Sequence, residues 1–220
     1  MTYRQKATPI EPTVLSKNYR EQLQMDLPDY VAIDLANEHQ PTILRQVAAP
    51  VQFPLSAEDQ RDLGLLEAKF DGEENCAGLA APQIGISKRM LVFAAPDNPD
   101  MRKWRPDFTQ AMEKTIWINP VYTAIGSEMH SDYESCFSII GLAGLIQRYK
   151  RIRYEATLPS GDTVSGEAEG FLARIMQHEI DHLNGILFID RAEEGSLIGI
   201  EEYRKRRAQA MGQDSTLSSK

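Results

Sequence analysis

Apolar residues recur at three- and four-residue steps in two stretches of this chain and alternate with polar ones in others. Phe171, Leu172, Ile175, Met176, Ile180 and Leu183 form the stronger helical pattern, broad enough to mark a core helix rather than a surface one. Asn184-Gly185 supplies its stop, because glycine readily takes the left-handed conformation that ends a helix. A second helix is expected from about Ser56 to Asp71, capped by Ser56, with Leu63, Leu66 and Phe70 on one face. Met90 to Ala94 reads as a strand, as does Thr115 to Ile118 before Asn119-Pro120. Ile146, Tyr149, Ile152 and Tyr154, with basic residues between them, predict a half-exposed strand that turns at Ser160-Gly161-Asp162 into Thr163-Val164. The segment from Asp97 to Met112 is rich in proline and charge and reads as an inserted loop. Residues 1–40 are mostly polar, with Pro9, Pro12 and Pro28, and read as an N-terminal extension that packs loosely or bridges a neighbouring chain. Strands followed by a central helix predict an α+β fold.

Composition narrows the picture. With 220 residues and 42% hydrophobic content the chain can bury one sizeable core, and nothing in it demands a second. A net charge of −8 argues against general nucleic-acid binding. Met1 to Lys6 is followed by polar residues and prolines with no apolar signal core, and no run approaches the roughly 18 apolar residues that span a membrane. With two cysteines and no such signal, a reducing cytoplasm is the expected location.

The candidate chemistry lies on the core helix, in Gln177-His178-Glu179-Ile180-Asp181-His182. At 100° per residue His178 and His182 share a face, and Glu179 lies on the same shoulder. Two neutral imidazoles at this spacing can grip a divalent transition metal, and a carboxylate outside the coordination sphere can take a proton from water on that metal. His39 and His130 stand alone among polar residues and read as exposed side chains. The third ligand decides the class of enzyme. A metzincin-type histidine is excluded, because Phe188 stands at that spacing after Gly185. Glu201 or Glu202 would complete a thermolysin-like zinc endopeptidase. Cys136, in Tyr133-Glu134-Ser135-Cys136-Phe137-Ser138, would supply a thiolate, although a free cysteine is more commonly a small buried hydrophobe.

Three motifs in order then resemble the peptide deformylase family. They are Gly78-Leu79-Ala80-Ala81-Pro82-Gln83-Ile84-Gly85, Glu134-Ser135-Cys136-Phe137-Ser138, and Gln177-His178-Glu179-Ile180-Asp181-His182-Leu183-Asn184-Gly185. The resemblance begins near Pro41 and runs to about Arg191. It implies a catalytic unit over 41–195, with 196–220 as a charged helix and tail, and strands packed around a central helix carrying the His-Glu-x-x-His metal-binding motif. It implies Cys136, His178 and His182 as ligands of one divalent metal, commonly ferrous iron, with zinc, nickel or cobalt acceptable. Metal-bound hydroxide would attack the formyl carbon, with Glu179 as general base and acid. Gln83, through its side-chain amide, and Phe137, through its backbone N–H, would stabilise the oxyanion. Ala77, Gly78, Glu134, Phe171 and Ile175 would contact the substrate, a peptide beginning with formyl-methionine.

The chain also departs from the family. Cys76 and Ser135 stand where glycine is usual, Phe137 where leucine is usual, and Ala143 where many bacterial members place an arginine that contacts the substrate backbone. Substrate fit is expected to change more than chemistry, and these departures leave a catalytically silent metal-binding or ribosome-associated protein as the non-enzyme reading. Cys76 is expected to be a reduced, packed thiol, with a disulfide to Cys136 as the alternative. The basic end of the helix around Glu201 to Arg207 suits its own C-terminal dipole, or ribosomal RNA if the family's ribosome docking is used here.

Overall fold

The computed structural model describes residues 27–210. Among the described residues, eight strands form two antiparallel sheets. The larger contains β1 (Gly78–Ala80), β2 (Met90–Ala95), β3 (Met112–Ala124), β6 (Arg151–Thr157) and β7 (Thr163–Glu169) in the order β1-β2-β3-β6-β7. The smaller contains β4 (Met129–Ser135), β5 (Leu142–Tyr149) and β8 (Ile198–Gly199) in the order β4-β5-β8. The helices are α1 (Ala57–Gly72), α2 (Pro99–Trp104), α3 (Gly170–Leu183), α4 (Phe188–Arg191) and α5 (Ile200–Ala210).

Strand β2 explains how the large sheet is covered on both faces. Leu91, Phe93 and Ala95 join the core beneath α3, with Trp117, Ile152, Leu172, Ile175 and Met176. Met90 and Val92 point the other way, into a second cluster with Leu63, Leu66 and Phe70 of α1. Alternating side chains therefore both meet apolar partners, which is why this strand reads as an unbroken hydrophobic run. Ser56 caps α1 as expected, in a reciprocal capping box with Asp59. A third cluster, including Ile33, Leu44, Ile139, Ile146 and Phe188, fills the space under the small sheet. Ile33 is fully buried and bridges Ile139. Of the expected extension, residues 1–26 lie outside the described residues.

Three expectations differ in detail. The half-exposed strand is two strands in different sheets, β5 and β6, broken at Lys150, with Ile146 and Ile152 both fully buried. Strand β3 continues through Asn119-Pro120, because a register shift between Ile118 and Val121 accommodates a residue that cannot donate to the ladder. The inserted segment contains α2, whose first turn is capped by Asn98 accepting from the Met101 N–H at 2.7 Å, with proline at its start.

Helix α3 is buried on nearly every side. The α+β arrangement is as expected, but the expectation that the His-Glu-x-x-His motif of the central helix constitutes the metal site is corrected. The donors that converge are Cys136, His178 and His182, one of them from outside the helix, and Glu179 is not among them. A single helix face places two imidazoles together, but closing a three-donor site needs a group approaching from across the gap.

Gly170 sets where α3 begins. Its φ is +59°, and a Cβ there would lie 2.1 Å from the Asp107 carbonyl oxygen, which accepts from the Phe171 N–H at 3.0 Å. Gly170→Ala is expected to lower stability by more than the ~1–2 kcal/mol of left-handed backbone alone. Thermal unfolding should then shift down by about 5 °C or more; an unchanged transition would contradict the packing described.

Candidate active site

Helix α3 presents Phe171, Ile175, His178 and His182 along one stripe, and the loop after β4 brings Cys136 against its far end. One ligand atom from each of Cys136, His178 and His182 lies within 4.8 Å of the others. Cys136 Sγ is 3.3 Å from His182 Nε2. The sulfur also accepts from Gln83 Nε2 at 3.3 Å and from the Ser138 N–H at 3.4 Å. Gln83 is 2% exposed, and its Oε1 is occupied by the Ala80 N–H at 2.8 Å, so its amide nitrogen is aimed at the sulfur.

Glu134 on β4 organises the histidine side. Its carboxylate accepts from Arg148 Nε at 3.0 Å and Nη2 at 2.8 Å, from Arg174 Nη1 at 2.7 Å, and pairs with His178 Nδ1 at 2.9 Å. With Nδ1 engaged there, Nε2 is the His178 nitrogen left for a metal. Arg148 continues to Asp181, which also takes Arg191 in a two-point contact at 2.6 and 2.7 Å. Gln177 fastens the helix to β5 through both backbone groups of Tyr149, at 2.8 and 3.0 Å.

The electrostatics divide the groups. Burial alone would raise the Glu134 pKa, but the Arg148 guanidinium beside it holds the carboxyl well below its usual range. Burial disfavours a charged ring at both histidines. It holds His182 well below the ordinary imidazole value, whereas hydrogen bonds to Cys136 and Glu134 carry His178 well above it. Glu179 is 4% exposed, with no hydrogen-bond partner for Oε2 among the described residues, and burial pushes its carboxyl up to about 7. It is pressed against Gly78, where a Cβ would lie 2.5 Å from Glu179 Oε1. The two buried carboxyls are thus shifted in opposite directions, Glu134 held down by the cations beside it and Glu179 raised by desolvation.

A sulfur and two imidazole nitrogens suit a divalent transition metal, and the residues fit one on structural grounds. His182 has a buried Nδ1 without a hydrogen-bond partner among the described residues, and a bound cation at the opposite nitrogen gives such a buried ring a reason to be there. Glu201 and Glu202 stand apart on α5, paired with Arg204 and Arg206, so the thermolysin-like ligand set is not assembled.

These groups open on a cleft of about 560 Å³. Ala77, Gly78, Glu134, Phe171 and Ile175 line it together with Gln83, Cys136, Phe137, His178 and Glu179. Ala143 does not; it is fully buried, paired with Ile198 of β8. Phe137 is 42% exposed and its ring stacks on Tyr30 with ring centroids 4.8 Å apart, and Lys69 lies over the Tyr30 ring at 4.3 Å. Both cysteines are free thiols, and Cys76 donates to the Gly78 carbonyl oxygen at 3.1 Å. His39 is exposed, and His130, 46% exposed at its side chain, lies 3.6 Å from Asp107.

Sequence reasoning missed the guanidinium network and the wall made by α5, whose Ile200, Tyr203 and Arg204 reach the cleft. The arginines near the end of α5 are engaged within the chain: Arg206 with Glu202 and Tyr133, Arg207 with both oxygens of Asp132. The overlooked signal was Arg174, a charged residue inside the apolar stripe of the core helix.

Known proteins share this architecture. Peptide deformylase 2 of Rickettsia conorii is 47% identical over 196 residues, covering 88% of this chain and 97% of that protein. Peptide deformylase 1 of Bordetella pertussis is 39% identical over 164 residues, covering 74% and 88%. The Met-Ala-Ser-bound crystal structure of the class I type b peptide deformylase from Acinetobacter baumannii superposes with a TM-score of 0.64 at 34% identity, covering 76% of this chain and 99% of that one. Residues 34–196 match the polypeptide deformylase family as a whole, and with its three-donor site in place this chain belongs to that family.

Proposed function

We propose that this chain removes the formyl group from the amino terminus of N-formylated peptides, formyl-methionyl nascent chains among them. It is a metal-dependent hydrolase of the deformylase type, and the observation that carries the reading is the convergence of Cys136, His178 and His182 beside the desolvated carboxyl of Glu179. Cys136, His178 and His182 would hold a divalent cation, ferrous iron or zinc foremost, which would supply Lewis acidity and acidify water.

The chain's own residues do the rest. Glu179 takes a proton at its carboxyl from the water whose oxygen adds to the formyl carbon, and delivers it to the amine nitrogen as the C–N bond breaks and formate leaves. The oxyanion receives Gln83 Nε2, whose aim is fixed through Ala80, and the Phe137 N–H. The loop's described hydrogen bonds use the N–H groups of Ser138 and Ile139 but not that of Phe137. Residues 31–33 brace both donors, because the Val31 N–H donates to the Gln83 carbonyl and the Ile33 N–H to the Ser138 carbonyl, each at 2.8 Å. Ala77, Gly78, Glu134, Phe171 and Ile175 bound the space for the first residue. Among the described residues no helix is long and apolar enough to cross a membrane. A substrate drawn from translation and two reduced thiols favour a cytoplasmic site of action.

Protein loaded anaerobically with ferrous iron is expected to release formate from formyl-Met-Ala-Ser, and Cys136→Ser to lose metal content and turnover together. Stoichiometric metal with no formate would overturn the assignment.

A further inference from the structure

The two proposed oxyanion donors come from separate segments, Gln83 from the 3₁₀ turn Ala81–Ile84 and Phe137 from the loop after β4. One short stretch, residues 30–33, touches both. It lies ahead of the residues that match the family, which begin at 34. Besides its bonds to the Gln83 and Ser138 carbonyls, it accepts the Ile140 N–H at the Ile33 carbonyl, at 3.1 Å. Ile33 is fully buried with Leu44, Ile139 and Ile146, so the stretch has a fixed anchor. These bonds pin the loop after Phe137 without reaching Phe137 itself.

Among the described residues no hydrogen bond engages either backbone group of Phe137. The peptide plane that carries its N–H is held at the carbonyl end, where Cys136 accepts from the Ile139 N–H at 3.1 Å. The other end of that plane is the Phe137 Cα, and its half-exposed side chain restrains the backbone only if something restrains the side chain. Tyr30 does so. Its ring lies parallel to that of Phe137, with an interplanar angle of 7° and centroids 4.8 Å apart, an attractive stacking geometry when the rings are offset. Tyr30 is steadied in turn from α1: the Lys69 ammonium sits 4.3 Å from its ring centroid, and Lys69 pairs with Glu73 at 3.1 Å. An unbroken series of contacts thus joins the end of α1 to the residue that carries the donor.

We propose that Tyr30 is a positioning residue, its ring keeping the Phe137 N–H aimed at the oxyanion. The proposal rests on the deformylase reading and on Phe137 as a donor. Tyr30 does not line the cleft, so its influence passes through Phe137. A donor is worth most when it is already in place as charge develops, because no reorganisation is then needed during the reaction. Removing such a donor outright lowers turnover by about 10²- to 10³-fold, so a donor loosened but still present should lower it by about tenfold. The oxyanion exists only along the reaction path, which puts the loss in kcat and spares ground-state binding.

Formate release from formyl-Met-Ala-Ser by iron-loaded protein gives kcat and KM for wild type, Tyr30→Phe, Tyr30→Ala, Phe137→Ala and the double variant. Metal content and calorimetric affinity for Met-Ala-Ser are measured on the same preparations. Tyr30→Ala is expected to lower kcat about tenfold with KM, tripeptide affinity and metal content held within about twofold, and Tyr30→Phe to match wild type. In the Phe137→Ala background, where the stack is already gone, Tyr30→Ala should lower kcat by less than about twofold further. Tyr30→Leu, which fills space without a stacking face, carries the same expectation if Tyr30→Ala does not fold. A kcat within about twofold of wild type in Tyr30→Ala, or an undiminished loss in the Phe137→Ala background, would overturn the proposal and leave deformylation standing. A loss shared by Tyr30→Phe would assign the effect to the hydroxyl and overturn the role of the ring. No formate from wild type carrying stoichiometric metal would overturn the deformylase reading and the proposal with it.

Discussion

Replacing Glu134 by alanine is expected to weaken metal binding by about 10- to 100-fold and to destabilise the protein by about 3–5 kcal/mol. Both effects come from one carboxylate. It fixes the His178 ring through Nδ1, and it is the anion on which Arg148 and Arg174 converge, both only 3% exposed. Without it the ring loses its orientation, Arg148 keeps only Asp181, already shared with Arg191, and Arg174 loses the carboxylate it pairs with. Competition with a chelator reads the first effect, and thermal unfolding of metal-free protein reads the second, with a drop of about 10 °C. Glu134→Gln keeps an acceptor oxygen for His178 and should fall between the two. Metal affinity and unfolding temperature both at wild-type values in Glu134→Ala would show that the network does not organise the site.

That network marks the limit of what the sequence makes legible. Helix α3 could be read because its packing obeys a local period: Phe171, Leu172, Ile175, Met176, Ile180 and Leu183 are all buried. Helix α1 could be read because Ser56 and Asp59 form its cap within four residues. Local pattern failed where two elements share one alternation. Lys150 separates β5 from β6 without glycine or proline, so a change of sheet leaves no mark in the period. In α2 the marks were present, Asn98 as cap and Pro99 at the first turn, but a six-residue helix has too little stripe to stand out from its loop. For the site, spacing within one helix identifies His178 and His182, whereas the approach of Cys136 is a tertiary fact that spacing alone left beside Glu201 and Glu202. Arg105, Arg148 and Arg174 come from three separate elements, and nothing local to any of them announces that they meet Asp132 and Glu134.

Glu179→Gln is expected to lower turnover by about 10²- to 10⁴-fold with metal content retained. The isosteric amide keeps the contact with Gly78 but can no longer accept and return a proton. Stability should hold or rise, in contrast to Glu134→Ala, because the wild-type carboxyl is 4% exposed with Oε2 unpartnered among the described residues, so an ionised group there is costly and a neutral amide is less so. Formate release, elemental analysis of the metal and thermal unfolding on the same preparations separate the outcomes. Turnover within tenfold of wild type would move the proton-transfer role away from Glu179, and loss of metal would place its carboxyl in the coordination sphere. The two acids differ in neither type nor burial. What separates them is company, since Glu134 is surrounded by Arg148, Arg174 and His178, whereas Glu179 faces Gly78 and the open cleft. Surroundings of that kind lower the pKa of one carboxyl and raise that of the other, which is the separation the proposed proton-transfer role of Glu179 requires.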